Sequence, residues 1–299
     1  TRQDITVLII DVNEVDEVAP VFTSSLSFDI PENQRSIGVV TATDIDTNDS
    51  LITFSVSDSE LSITPAGILS FVSAPDYETK SLYTATVIAS DGTNTASQNI
   101  TINVLNLNDN SPIFSSDPIF GADENQTSIG TVVASDADGE TLIYSTSGTG
   151  GDIRIDSSSG ELSFREPQDF ENELARQYTA LVTASDGTNS TTQNITVNIL
   201  NVIEPPYFTS EPNFSIEENR FYVRGNVQAW DEETGSSITA FTISGDDIEI
   251  ETESYRGFLS FIIPPDYEIT SEYTATVTAV PPDGRVVGTQ NITVAIIDI

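Results

Sequence analysis

Carboxylates in short, recurring strings are the residues of this chain best placed to do chemistry. Glu32 stands in Pro31-Glu32-Asn33, and Asp76 and Glu78 in Asp76-Tyr77-Glu78. Asp109 lies in Asn106-Leu107-Asn108-Asp109-Asn110, and Asp136 and Asp138 in Asp136-Ala137-Asp138. The chain has no Cys, no His and no Met, which removes thiol nucleophiles, imidazole bases and the usual ligands of zinc, copper and haem. Coordination of a hard cation by oxygen remains. A carboxylate pair can also hydrolyse glycosides, but a catalytic pair occupies one cleft, whereas each of these strings returns once per repeat. The single lysine, Lys80, supplies no further base. The expectation is a protein that is not an enzyme.

The elements that carry these strings repeat. Gln98-Asn99-Ile100-Thr101 returns at Gln193-Asn194-Ile195-Thr196 and Gln290-Asn291-Ile292-Thr293, with a variant at Gln3-Asp4-Ile5-Thr6, a period of about 95 residues. Asp76-Tyr77-Glu78 matches Asp169-Phe170-Glu171 and Asp266-Tyr267-Glu268. Ala89-Ser90-Asp91-Gly92 returns at Ala184-Ser185-Asp186-Gly187 and as Pro282-Asp283-Gly284. Within each period the segments are short, rich in Val, Ile, Thr, Phe and Tyr, and bounded by Gly, Asp, Asn and Pro. Tyr83 to Ala89 alternates at period two, which is strand patterning. About seven strands per period predicts an all-β chain of tandem Greek-key β-sandwiches of immunoglobulin-like type. Phe22, Phe114 and Phe208, with Tyr83, Tyr178 and Tyr273, are expected in the cores. The expected boundaries are 15–108, 109–203 and 204–299, with 1–14 as the last strand of a preceding repeat.

Composition narrows the partners. The 299 residues include 47 Asp and Glu against 10 Lys and Arg, a net charge of −37. Such a surface repels itself unless cations neutralise it, and nucleic acid, which is held through basic side chains, is excluded as a partner. No apolar run reaches the roughly 18 to 20 residues that span a bilayer, so direct membrane insertion is not expected. With no signal pattern at the start, the chain reads as an internal fragment. Acidity without cysteine favours a bacterial, salt-exposed source.

The strings resemble the signatures of cadherin repeats, in the bacterial cadherin-like manner. Pro31-Glu32-Asn33, Asp76-Tyr77-Glu78, the linker Asn106-Leu107-Asn108-Asp109-Asn110-Ser111-Pro112-Ile113-Phe114 and Asp136-Ala137-Asp138 follow the family's order and spacing over nearly the whole chain. The resemblance implies three Ca2+ ions at each junction between repeats. The first would sit on Glu32, Asp76, Glu78 and Asp109. The second would share Glu32, Glu78 and Asp109, and add Asp138 and the carbonyl of Leu107. The third would take Asn108, Asp136, Asp138, Asp186 and the carbonyl of Asn110. Calcium takes six to eight oxygen ligands, and these seven carboxylates against three divalent ions leave one net negative charge. The plainer alternative is that Asp and Asn sit here as solvated turn residues.

The other junctions depart from the pattern. Between the second and third repeats Glu124, Asp169, Glu171, Asp231, Glu233 and Asp283 are present, but the linker reads Asn201-Val202-Ile203-Glu204-Pro205-Pro206 and lacks the Asn-Asp-Asn core. One or two ions are expected there, with Glu204 as the linker ligand, and the paired prolines stiffen the joint by fixing φ. Ahead of the first repeat Asp44, Asp46 and Asp91 face a longer linker whose register is open. At the far end Glu218, Asp266, Glu268 and Asp298 form an orphaned half-site.

The expected function is a calcium-stiffened extracellular or cell-surface stalk for adhesion, with a homophilic or heterophilic surface protein or a polysaccharide as partner. A carbohydrate-binding or spacer module, with Tyr222 and Tyr255 as aromatic platforms, is the alternative. Trp230, the single tryptophan, is expected to pack near a joint rather than to act as an adhesive anchor.

Overall fold

A computed structural model describes residues 18–147, 152–172 and 176–299. The strand expected within 1–14 lies outside the described residues.

The first sandwich contains β1 (Val21–Phe22), β2 (Ser27–Pro31), β3 (Ser36–Val39), β4 (Ala42–Thr43), β5 (Thr53–Val56), β6 (Leu61–Ile63), β7 (Ile68–Phe71), β8 (Leu82–Ser90) and β9 (Thr95–Leu105). One sheet has the order β2-β9-β8-β5 and the facing sheet β3-β7-β6, with β1 paired to β4. Nine segments stand where about seven strands are expected, because two edge strands are each cut by a bend. The chain leaves β1, turns through residues 23–26 and joins the opposite sheet as β2; a second bend separates β3 from β4.

Alternation drives the packing. In β8, Tyr83, Ala85, Val87 and Ala89 point inward while Leu82, Thr84, Ile88 and their neighbours are more exposed. Each sandwich has its own core: around Leu69, Val87, Ile100 and Ile102 in the first, Val182, Ile195 and Val197 in the second, and Leu259, Val277, Ile292 and Val294 in the third. Burying each such side chain contributes about 1.5 to 3 kcal/mol. A Phe and a Tyr meet edge-on in all three cores, Phe71 with Tyr83 at 4.9 Å, Phe164 with Tyr178 at 5.0 Å and Phe261 with Tyr273 at 4.9 Å between ring centres. Phe22, Phe114 and Phe208 pack, partly buried, against the same cores. Gly67 and Gly160 turn the chain into the next strand at φ 83° and 75°, and a Cβ there would stand 2.1 and 2.3 Å from the carbonyl oxygens of Val40 and Val132.

The second sandwich, from Ile113–Phe114 to Ser190–Leu200, repeats the strand order of the first. The third keeps its four-stranded sheet but faces it with a hairpin, Ile248–Glu253 paired to Arg256–Phe261. Residues 218–228 join that hairpin through the isolated bridges Tyr222 to Ser260 and Val227 to Gly257.

Parallel pairing decides where the acidic strings go. Because β2 runs parallel to β9, with Pro31 opposite Leu105, Glu32 and the outgoing linker leave the sandwich side by side. Asp123 opposite Leu200 and Glu217 opposite Ile297 repeat this in the other two. The residues after β4 and the β8–β9 turn, Asp44, Asp46 and Asp91, emerge at the other end.

Candidate cation-binding joints

Each joint is organised by a buried glutamate. Glu32 and Glu124 are 3% exposed and Glu218 is 7% exposed. Glu32 Oε2 accepts the backbone N–H of Tyr77 at 2.7 Å and Oε1 that of Leu107 at 2.8 Å. Glu124 takes the same two positions, Phe170 at 2.7 Å and Val202 at 2.8 Å. Glu218 accepts from Tyr267 at 3.2 Å and Ile299 at 3.4 Å. The asparagine that follows each glutamate, Asn33, Asn125 or Asn219, has φ of 60–64°, a left-handed conformation that asparagine tolerates better than most residues. Its N–H donates to Pro75, Gln168 or Pro265, which fastens the glutamate's turn to the Asp-x-Glu loop.

At the first joint, one carboxylate oxygen from each of Glu32, Glu78, Asp109 and Asp138 lies within 4.8 Å of the others. Two come from the first sandwich, one from the linker and one from the second sandwich. Asp138 Oδ2 accepts the backbone N–H groups of Asp109 at 3.0 Å and Asn110 at 2.8 Å, and the Asn106 side chain donates to the Asp138 carbonyl at 2.9 Å. The Asn110 amide donates to Asp138, Asp109 and Glu78 at 2.9, 3.1 and 3.3 Å, and Asn33 donates to Asp109. Burial, then the charges of Glu32 and Asp138, raise the Glu78 carboxyl above its ordinary range. Asp76 stands outside this group of four. Its Oδ1 accepts the N–H groups of Glu78 and Thr79 at 3.1 and 3.2 Å, and its Oδ2 the Thr79 hydroxyl at 2.9 Å, so Asp76 also shapes the turn.

Beside that group lies a second, Asp136, Asp138 and Glu140, again within 4.8 Å. Asp136 Oδ2, Glu140 Oε2 and Asp186 Oδ2 are buried without a hydrogen-bond partner. The Asn189 amide ties this end of the second sandwich to the linker, donating to Asn108 Oδ1 at 3.1 Å and to the Asn110 carbonyl at 2.8 Å. Glu140 was not expected from the sequence. Its signal was the continued two-residue spacing of acids, Asp136, Asp138, Glu140.

The second joint brings together Glu124, Glu171 and Glu204 within 4.8 Å. Burial, then Glu124, Glu233 and Glu204, push the Glu171 carboxyl up to about 7. Glu204 is raised by burial and by Glu124. Glu233 binds the linker by accepting from the Glu204 N–H at 3.1 Å and the Asn201 amide at 3.2 Å. Asp169 lies outside the group of three and accepts the N–H groups of Glu171 and Asn172 in its own turn. Asp231 and Asp283 lie apart from it, paired with Arg285; hydrogen bonding from Arg285 holds Asp283 below the usual carboxylate range. Trp230 sits in the strand Ala229–Asp231, opposite Tyr207 just past the linker.

At the ends, Asp44 Oδ2 and Asp91 Oδ2 are buried without a hydrogen-bond partner, and Asp46 accepts the Val18 N–H at 3.1 Å. The linker residues before 18 lie outside the described residues. Glu218, Asp266 and Glu268 come within 4.8 Å of one another, whereas Asp298 is exposed.

Cadherin EGF LAG seven-pass G-type receptor 2 of Mus musculus is 31% identical over 254 residues, 78% of this chain and 9% of the relative. The receptor fmi-1 of Caenorhabditis elegans, of the same Cadherin EGF LAG type, is 31% identical over 306 residues, 92% of this chain and 12% of the relative. The chain belongs to the cadherin superfamily. It spans about a tenth of the length of these two curated relatives. No family model matches it. Among solved structures, the EC22-24 fragment of mouse cadherin-23 has a TM-score of 0.54 at 23% identity, covering 94% of this chain and 99% of that one. Cadherin domains 1–5 of protocadherin gamma B2 give 0.55 at 21%, covering 95% and 61%. Both share the tandem-sandwich fold of this cadherin chain. The relatives named are animal proteins, and the bacterial source expected from composition draws no support from them.

Proposed function

We propose that this stretch is a calcium-stiffened part of an extracellular, cell-surface adhesive stalk, with repeats at 15–108, 109–203 and 204–299. The observation that carries the reading is the group of Glu32, Glu78, Asp109 and Asp138, four carboxylates from two sandwiches and their linker within 4.8 Å. Like charges this close repel unless a cation lies between them. The donor set fits calcium: all oxygen, mostly carboxylate, with asparagine and carbonyl groups in a loop that can adjust. The partnerless oxygens of Asp136, Glu140 and Asp186 point to the same need.

Glu32, Asp76, Glu78 and Asp109 would hold the first ion. Asp138 and the Leu107 carbonyl would complete the second, and Asn108, Asn110, Asp136, Asp138 and Asp186, with Glu140, the third. At the second joint Glu124, Glu171 and Glu204, with Asp169 and Glu233, would hold fewer. Asp44, Asp46 and Asp91 would serve a joint with a preceding repeat.

Because the ligands belong to both neighbours, an ion binds the docked arrangement and not the swung one. Extracellular calcium modules have dissociation constants of about 10⁻⁴ to 10⁻³ M, and a roughly tenfold excess over that stabilises each site by about 1.4 kcal/mol. Adhesion to a surface protein, homophilic or heterophilic, follows from the relatives' cadherin character, and a non-catalytic role goes with it. Calorimetric titration of the calcium-free chain tests the reading: saturable binding of several ions in the millimolar range supports it, and no binding heat overturns it.

A polysaccharide partner is the second reading. It is favoured by Tyr222 and Tyr255, 79% and 44% exposed on the third sandwich, and glycan binding that persists in chelator would select it.

A further inference from the structure

Arg285 occupies a place that no basic residue holds in the other two repeats. Strand register aligns Asp44, Asp136 and Asp231, since each comes directly after the residue paired to Val21, Ile113 or Tyr207. Asp91, Asp186 and Asp283 align likewise in the Asp-Gly turns. In the first two repeats each of these aspartates keeps a buried carboxylate oxygen without a partner. In the third, Arg285 reaches both: Nη2 lies 2.6 Å from Asp231 Oδ2 and Nε 2.7 Å from Asp283 Oδ2. The Arg285 side chain is 13% exposed and that of Asp231 1%. One oxygen of Asp231 and Nη1 of Arg285 stay unpartnered.

The linker changes at the same joint. Val202 takes the role of Leu107, its N–H donating to the buried glutamate; this puts Asn201 at the place of Asn106 and Ile203 where Asn108 stands, and gives the next places to Glu204, Pro205 and Pro206. The asparagine oxygen and the Asn110-type carbonyl loop are therefore both replaced. The shortened linker instead lies against the third sandwich, where a Cβ on Gly288 would meet the Pro206 carbonyl oxygen at 1.9 Å.

We propose that the Arg285 guanidinium is a built-in cation that takes the third ion's position at the second joint, so that this position is closed to calcium. The inference rests on the calcium reading above. A guanidinium bridging two carboxylates supplies charge and directed hydrogen bonds without an ion. Both carboxylates belong to the third sandwich, so Arg285 neutralises that end without tying it to the linker, and the joint relies on Glu204 and the two prolines.

Nitrogen-15 NMR of the whole chain, titrated with calcium chloride, tests this. The expected result is that the backbone amides of Asp109 and Asn110 shift while the Arg285 Nε–H signal keeps its position at saturation. In Arg285→Gln, the Asp283 and Gly284 amides should gain a calcium-dependent shift that the native chain lacks. An Arg285 signal that moves or vanishes in step with Asp109 would overturn the proposal, as would a folded Arg285→Gln with no new response. Silence at Asp109 and Asn110 would instead bring down the calcium reading, and the proposal with it. The native-chain signal decides the matter even if the variant fails to fold.

Discussion

Glu32 and Leu107, 75 positions apart, are joined by a 2.8 Å hydrogen bond from the Leu107 N–H to a carboxylate that is 3% exposed. The same carboxylate holds the Tyr77 N–H. A single side chain thus fixes the end of β2, the Asp-x-Glu loop and the first residues of the linker, and presents a buried negative charge where four acids meet.

Glu32→Gln keeps the shape and removes the charge. One of the two N–H donors then faces an amide NH2 instead of an acceptor. Hydrogen bonds to charged groups contribute about 1.5 to 3 kcal/mol, and a loss of that order is expected in saturating calcium. In chelator the loss should be smaller, because the unmodified protein then carries an uncompensated buried charge. Thermal unfolding of both proteins in both buffers measures the difference, and equal losses in the two buffers would contradict the role assigned to Glu32.

The two joints should respond unequally to loss of their linker acid. Asp109 shares its group with three other carboxylates and Glu204 with two, and the second joint also has Pro205 and Pro206. Asp109→Ala should therefore loosen the first joint more than Glu204→Ala loosens the second. Limited proteolysis at residues 106–110 and 201–206 reports each joint separately; equal acceleration of cleavage would refute the ranking.

Stability in chelator should fall as pH rises. The Glu171 carboxyl is pushed from 4.5 up to about 7 in the folded chain, by burial first and then by Glu124. The folded state then binds more protons than the unfolded one, so stability declines as pH rises between those values. Calcium competes with the proton and should narrow the decline. The general repulsion of a chain at −37 acts in the same direction, and Glu171→Gln separates the two by flattening only the local part. An unchanged slope in that variant would disprove the assignment.

Core side chains at the repeat's inward positions offer a contrast. Ile102 is fully buried in the first core beside its cross-strand partner Tyr83, and Ile102→Ala should cost about 2 to 5 kcal/mol with or without calcium. Denaturant unfolding checks this, and a cost that appears only with calcium would tie Ile102 to the joint rather than to the core.

The repeat period exposed much of this arrangement. Alternation in Tyr83–Ala89 and the recurring acidic strings were legible because strand burial has period two and each string returns at the same place in each sandwich. The split of the edge strands was not, since the bends at residues 23–26 and 40–41 carry no Gly or Pro. The hairpin of the third sandwich turns through Ser254 at φ 59°, which residue type does not announce. Arg285 was not legible for a different reason: it pairs with Asp231, 54 positions away and brought close only by the fold, whereas Glu140 merely extends the spacing of Asp136 and Asp138. Asp76 belonged to both readings of its string, as a turn former with its own loop and as a member of the acidic end.

On this reading, cations hold the first joint. Small-angle scattering of the whole chain, with thermal unfolding on the same samples, in saturating calcium and then in excess chelator, tests it most directly. Chelator should shorten the maximum dimension and lower the melting temperature, with both restored when calcium is returned. Identical dimensions and melting in the two buffers would contradict it.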